Sequence, residues 1–463
     1  MILQKLGVAP GAIAAGIILI GGQPSEGRAA LSYDFSLGVG AVVNDNLYLD
    51  PESGGEGQRK PVKETMYTVA PALNLSWVGQ RDHLIGDYRG EYWQFTGDED
   101  LDPRWTHNLA ADLAWRRWAP FFLEVRETLD RGPSAQQRDV EAVIDYTYTN
   151  MVSARTGLVW EFGARGTAEL AYRGEFETYP QVEDADRVLR QYGEGLARYR
   201  WTPLWETEFR VSYGQVERKL TADYDELSAS VAVDQRLSEH LALRYRLEWL
   251  RDAYEAPPAG GAAPEAQGST VSTGLLGGAE VRGDLSHGGT WNLGFSDDLD
   301  YLPDGDTLET RRTSAKVALR ARLGSALTVG GWYDTRDYRV SGREEQAWGP
   351  TLDARWMITS WAACDVRGSW TDTTIREEAL AEVDEQTSGV ATGFVFLLFN
   401  QLQLEAGYDY RKNDSTDAQR SYAGSRLYAF ITYHFHPLAP GTLPSSYLSR
   451  MDDNPVGVNA QHR

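Results

Sequence analysis

Hydrophobic and polar residues alternate with a period of two along most of this chain. In the first such stretch Tyr33, Phe35, Leu37, Val39, Ala41 and Val43 are separated by Asp34, Ser36, Gly38 and Gly40. Successive side chains of an extended strand point to opposite faces, so this stretch has one apolar face and one small or polar face. The pattern returns in Tyr67, Val69, Pro71, Leu73, Leu75 and Trp77, and in Trp205, Thr207, Phe209, Val211 and Tyr213. It returns again in Thr313, Ala315, Val317, Leu319, Ala321 and Leu323, here separated by Ser314, Lys316, Arg320 and Arg322. No helical stripe of comparable length competes. The runs span roughly ten to fourteen residues, against about five or six for an ordinary strand, and that is what a tilted strand needs to cross a bilayer.

Twenty strands are predicted, within a range of 16 to 22, near 31–43, 66–78, 82–95, 106–118, 121–130, 148–160, 166–178, 187–200, 204–216, 225–237, 241–251, 270–283, 290–298, 311–323, 326–339, 346–358, 361–370, 387–399, 402–411 and 423–435. Their links alternate in length. Gly79-Gln80-Arg81, Ser238-Glu239-His240, Gly324-Ser325 and Thr359-Ser360 are short; 44–65, 96–105, 131–147, 252–269, 371–386 and 412–422 are long. Short periplasmic turns and long external loops are the habit of bacterial outer-membrane barrels. Tryptophan agrees: Trp77, Trp115, Trp118, Trp160, Trp201, Trp205, Trp356 and Trp361 fall beside short turns, and Trp93, Trp105, Trp249, Trp348 and Trp370 beside long loops. Amphipathic rings collect at both membrane interfaces. Trp332, on a polar face, does not fit. The expected fold class is therefore all-β, a transmembrane antiparallel up-and-down β-barrel in the outer membrane of a Gram-negative bacterium.

The ends differ from the middle. Lys5, the apolar Leu6 to Gly22 stretch and the small residues around Gly27-Arg28-Ala29 read as a secretory signal peptide over 1–29. The barrel is expected over 30–435. Residues 436–463, with Pro437, Pro440, Pro444 and Pro455, are expected as an extended periplasmic tail. Past Gly22 the longest apolar run is Phe394 to Phe399, too short for a membrane helix.

Composition narrows the function. Against 45 Lys and Arg stand 67 Asp and Glu, for a net charge of −22. Such a chain is a poor partner for nucleic acid. The single cysteine, Cys364, excludes a disulfide framework and a cysteine zinc site. No nucleophile elbow, phosphate loop or dinucleotide fingerprint is present, and the seven histidines form no metal pair. No enzyme activity, cofactor or metal is expected, and a barrel hydrolase would need a clustered Ser/His or carboxylate pair that the sequence does not display.

The opening strand with Asn44-Asp45-Asn46, the segment Val69 to Trp77 and the strand with Tyr88 and Tyr92 resemble the beta-barrel porin 2 family. That resemblance would span about 33–435. It implies an outer-membrane channel of the kind often found among exopolysaccharide and exosortase genes, with polysaccharide-export components as candidate partners. The last strand ends on Phe435, which resembles the signal read by the barrel-assembly machinery. Lipid bilayer and lipopolysaccharide are the remaining expected partners.

The polar faces carry nearly balanced Arg and Asp/Glu, because charge on the lipid side is expensive. Two readings stay open. Alternating ion pairs lock the wall together, or a basic track of Arg244, Arg246, Arg312, Lys316, Arg320, Arg322 and Arg336 passes an acidic or hydroxyl-rich solute. The functional expectation is a porin-like channel for polar solutes such as saccharides, narrowed by loop 44–65, 131–147 or 252–269 folding inward. The competing expectation is a non-conducting structural or adhesin-type barrel whose acidic loops bind partners.

Overall fold

A computed structural model describes residues 30–46, 63–96, 104–116, 119–133, 146–178, 187–218, 223–254, 271–285, 288–301, 307–321, 324–338, 341–377, 382–417 and 420–438. The predicted signal peptide, Trp118, Arg322, most of the three loops expected to turn inward and the tail beyond Leu438 lie outside these residues. The strands are β1 (Ala30–Asn44), β2 (Glu64–Val78), β3 (Asp82–Phe95), β4 (Arg104–Trp115), β5 (Phe121–Pro133), β6 (Tyr146–Phe162), β7 (Gly166–Thr178), β8 (Val188–Thr202), β9 (Trp205–Arg218), β10 (Tyr224–Ser238), β11 (Leu241–Tyr254), β12 (Val271–Leu285), β13 (Gly289–Tyr301), β14 (Thr307–Arg320), β15 (Ala326–Tyr338), β16 (Arg343–Thr359), β17 (Ala362–Arg376), β18 (Val383–Leu398), β19 (Leu402–Ser415) and β20 (Tyr422–His434).

Each strand pairs antiparallel with its neighbours in the chain, and β1 closes on β20 from Ser36↔His434 to Asn44↔Arg426. Closure removes the sheet edge, the one arrangement that satisfies every backbone group of a sheet in lipid. Twenty strands about 4.8 Å apart and tilted by about 40° make a backbone cylinder roughly 40 Å across. With an even strand number, Ala30 and His434 both lie at the end of the short turns, the periplasmic end.

Outward positions are apolar and exposed: Leu31 and Phe35 on β1, Leu170 on β7, Phe209 and Val211 on β9, Leu427 and Ile431 on β20. Aromatic residues bound this band. Trp160, Trp201, Trp205, Trp356 and Trp361 stand exposed at the periplasmic side, Trp105, Trp249 and Trp348 at the external side. Trp348 and Trp370 meet edge to face at 4.7 Å. The chain is an outer-membrane barrel.

Trp93 is a correction to the belt assignment. It alternates with outward Tyr92, pairs with buried Thr68 on β2, and is itself buried on the inner face. Trp332 is also inward, as its polar neighbours suggested, and the Arg312 guanidinium lies 5.7 Å from its ring centre. The external strand ends run further than expected. β17 continues to Arg376 and β18 starts at Val383, so the loop predicted over 371–386 is only 377–382. Above the bilayer both faces meet water, so the two-residue period fades. Polar bonds carry the pairing there, such as Arg376 to Glu382 at 3.0 Å and Thr374 Oγ1 to Asp384 Oδ1 at 2.9 Å.

Two prolines interrupt the ladder. The β2–β3 register skips from Val69↔Tyr92 to Ala72↔Arg89 around Pro71, and the β16–β17 register skips from Trp348↔Asp372 to Thr351↔Ser369 around Pro350. Proline has no N–H to give. Phe430 on β20 covers Gly40 across the closing seam and Tyr428 covers Gly407 on β19, so any side chain at either glycine would occupy the ring's space. These aromatic–glycine pairs cover exposed backbone and pin the register.

Candidate functional site

Inward side chains come from alternate positions of every strand, and most of the arginines among them are bonded across the wall. Arg155 on β6 reaches Glu194 and Glu169 at 2.9 Å each and Glu124 at 3.4 Å. Its guanidinium also lies 4.9 Å from the Phe122 ring centre. Arg173 on β7 adds Glu194 at 2.8 Å and Glu175 at 3.0 Å, and lies 4.5 Å from the ring centre of Tyr192. Glu194 and Glu169 are nearly dry, so these forks neutralise carboxylates that would otherwise be costly to bury. On the next strands Arg198 holds Glu208 at 2.6 Å, and between β20 and β19 Arg426 holds Asp409 at 2.9 Å.

The seven predicted track residues divide. Arg312 grips Asp334 on β15, with Nε to Oδ1 at 2.6 Å, and Asp334 is fully buried. Arg336 joins the same network, 3.4 Å from Asp334 and 3.3 Å from Glu345, and Arg343 holds Glu345 at 2.6 Å. Arg246 pairs with Glu248, and Arg244 approaches Asp234 at 3.7 Å. These four belong to the wall's ion-pair ladder. Lys316 and Arg320 do not: both are exposed, and neither has an ion pair among the described residues. Arg322 lies outside the described residues.

Register adds two residues that the predicted track omitted. Arg236 on β10 stands opposite Ala242 on β11, Ala242 opposite Arg282 on β12, Arg282 opposite Asn292 on β13, and Asn292 opposite Lys316 on β14. Beyond Lys316 comes Gly330 on β15. The result is one row across five strands, with a cation on every second strand and a small or neutral residue between. Alternate strands are about 10 Å apart. Arg236 and Arg282 are exposed, again without an ion pair among the described residues. The flanking carboxylates have other partners: Asp234 lies 3.7 Å from Arg244, Glu280 accepts from the Asn292 amide, and Asp284 lies 4.0 Å from His240. Sequence distance hid the row, because its members meet only through strand pairing.

The wall beyond β15 is unlike this one. At the periplasmic end of β16 to β20 the inward residues are Met357, Ala363, Val395, Leu397, Gln403, Glu405, Thr432 and His434, and all are buried. His434 Nε2 and Gln403 Oε1 are 3.3 Å apart, and the Gln403 amide donates to Glu405 at 3.3 Å. The interior is therefore asymmetric toward the periplasm, with an exposed basic row on β10–β14 and a buried, mostly uncharged patch on β16–β20, beyond which β16 and β17 again carry ion pairs, Arg355 to Asp365 at 3.6 Å and Arg367 to Asp353 at 3.3 Å.

No family model matches the chain, and no curated protein does. Among solved structures the chain is similar to Pseudomonas aeruginosa OccK3 (OpdO), at 12% identity and a TM-score of 0.41, over 87% of this chain and 96% of that one. It is similar to the copper transporter OprC at 11% identity and a TM-score of 0.48, over 89% of this chain and 81% of that one. A structure of Pseudomonas aeruginosa OpdK with vanillate is similar at 12% identity and a TM-score of 0.40, over 87% of this chain and 99% of that one.

Proposed function

We propose that this barrel is an outer-membrane channel for polar, preferentially anionic solutes, and that Arg236, Arg282 and Lys316, with Arg320 nearer the periplasm, form its selectivity surface. The observation that carries the reading is the contrast inside one lumen. Most inward arginines are spent on carboxylates of the wall, whereas this row is exposed and has neutral cross-strand neighbours. Cations left unpaired in a water-filled interior attract anions and raise their local concentration. Guanidinium groups about 10 Å apart suit a solute with repeated carboxylate or phosphate groups. The resemblance to the beta-barrel porin 2 family favours an acidic saccharide or exopolysaccharide as that solute. Arg244, Arg246, Arg312 and Arg336 serve on this view as wall fasteners, and Arg322 remains a candidate member of the track.

The test is single-channel recording of the refolded protein in a planar bilayer, with reversal potentials in a salt gradient and added oligosaccharides. Discrete openings with anion preference, blocked more strongly by acidic than by neutral oligosaccharides, are the expected result. A folded barrel that never conducts would overturn the reading and return the protein to the class of structural or adhesin-type barrels.

A further inference from the structure

Trp332 stands apart from the other described tryptophans. It faces the lumen instead of lipid, so neither interfacial belt accounts for it. Unlike inward Trp93, which is buried, it keeps part of its surface open to the lumen. Its surroundings are small. Pairing sets one row across the inner face: Gly294 on β13, Ser314 on β14, Trp332 on β15 and Gly349 on β16. Gly330, two residues toward the periplasm on the same strand and face, also lacks a side chain. The indole therefore rises above a floor of glycine and serine. On the external side that floor ends at Arg312, whose guanidinium lies 5.7 Å from the ring centre and is held by Asp334.

Toward the periplasm the floor is bordered by hydrogen-bonding groups. A Cβ on Gly294 would lie 3.2 Å from Ser314 Oγ and 3.7 Å from Asn292 Oδ1, so both oxygens lean over that glycine. The Asn292 amide donates to Glu280, which leaves Oδ1 as an acceptor. A Cβ on Gly330 would lie 4.0 Å from Lys316 Cγ, so the Lys316 stem leans the same way. Lys316 and Trp332 are diagonal neighbours across the β14–β15 pair, with backbones about 7–8 Å apart. A flat apolar face beside a hydroxyl, a carboxamide oxygen and an ammonium suits a sugar ring that bears a carboxylate. The C–H bonds on one face of a pyranose carry slight positive charge, which the negative face of an indole attracts. Its hydroxyls need donors and acceptors together, which Ser314 and Asn292 supply. Its carboxylate needs a cation just beyond the ring, which Lys316 supplies.

We infer that Trp332, Ser314, Asn292 and Lys316 form a lumenal subsite for a uronic-acid unit of an acidic saccharide. The inference rests on the reading of the barrel as a channel for anionic solutes and adds what a row of cations lacks, a surface that recognises the sugar ring. A carboxylate without a ring would use Lys316 alone, and a neutral sugar would use Trp332 without Lys316. Arg282, about 10 Å from Lys316 across Asn292, is placed for the carboxylate of a second unit.

The experiment is isothermal titration calorimetry on the refolded barrel in detergent. The probes are trigalacturonate, neutral maltotriose, and tricarballylate, which carries carboxylates on no ring. Trigalacturonate is expected to bind most tightly. Trp332→Ala should weaken both saccharides about tenfold and leave tricarballylate within about twofold, whereas Lys316→Gln should weaken both acids and spare maltotriose. Absent trigalacturonate binding, tricarballylate binding of equal strength, or trigalacturonate affinity unchanged in Trp332→Ala would each overturn the inference. If Trp332→Ala does not fold, Trp332→Leu, apolar but not flat, replaces it with the same expectations. Conductance of the same preparations separates the two readings. Trp332-dependent binding in a barrel that never conducts would keep the subsite and sink the channel; anion-selective conduction with binding indifferent to Trp332 would keep the channel and sink the subsite.

Discussion

Toward the periplasmic end of β10, β12 and β14 the inward row Arg236, Arg282 and Lys316 is exposed; toward the same end of β17, β18 and β19 the inward row Ala363, Val395 and Glu405 is buried. Both walls obey the same two-residue alternation and the same antiparallel pairing. They differ in which residues pairing places side by side. Unpaired cations must stay hydrated, because desolvating them costs far more than any packing gain. Their wall can only border water. A mostly apolar patch carries little of that penalty and gains by being covered. A barrel can therefore hold a solvated path and a packed surface toward the same end, provided unpaired cations are kept to one arc.

The sharpest way to break this comparison is to add a like charge to each wall. Val395→Asp, directly opposite buried Glu405, should destabilise the folded barrel by about 3–5 kcal/mol or prevent folding, as an uncompensated charge in a dry site does. Ala242→Arg, between two cations on the wet wall, should cost no more than about 1 kcal/mol. Urea unfolding of the refolded protein, followed by heat-modifiable mobility on gels, compares them, and equal costs would remove the distinction between the walls. Next in size is Arg155→Leu. It takes the guanidinium from Glu169 and leaves Glu194 to Arg173 alone, two carboxylates only 9% and 7% exposed at the side chain, and should cost about 3 kcal/mol. Arg282→Ala, which has no ion pair to lose among the described residues, should stay within about 0.5 kcal/mol in the same assay.

Two further outcomes sharpen the role of the wet wall. Arg282→Glu combined with Lys316→Glu should convert anion preference to cation preference, read as a change of sign of the reversal potential. The same pair of changes at Arg312 and Arg336 should instead cost stability, because Asp334 and Glu345 would face new carboxylates. The smallest effect is in salt. Anion preference of the unmodified channel should decline between 0.1 M and 1 M salt, as the screening length falls from about 10 Å to about 3 Å. Preference that ignores salt would point to a narrow steric site instead of an exposed charged row.

The alternation of Tyr33 to Val43, repeated along the chain, by itself determined the strand number, the closed architecture, the inward and outward faces and the shared end of the two termini. It could do so because the period is local: each residue's face depends only on its neighbours in an extended chain. β3 and β7 have the predicted limits, 82–95 and 166–178. The external extensions of β17 and β18 were hidden because a strand with water on both sides has no apolar period to show. Which arginines are spent was decided by the tertiary structure alone. Arg312 and Lys316 lie on one strand and look alike in sequence, yet one meets Asp334 and the other Asn292 and Gly330. Trp93 turned inward and the β16–β20 wall became dry for the same reason. Pairing and burial depend on residues far apart in the chain that meet at strand spacing, and no local pattern carries that information.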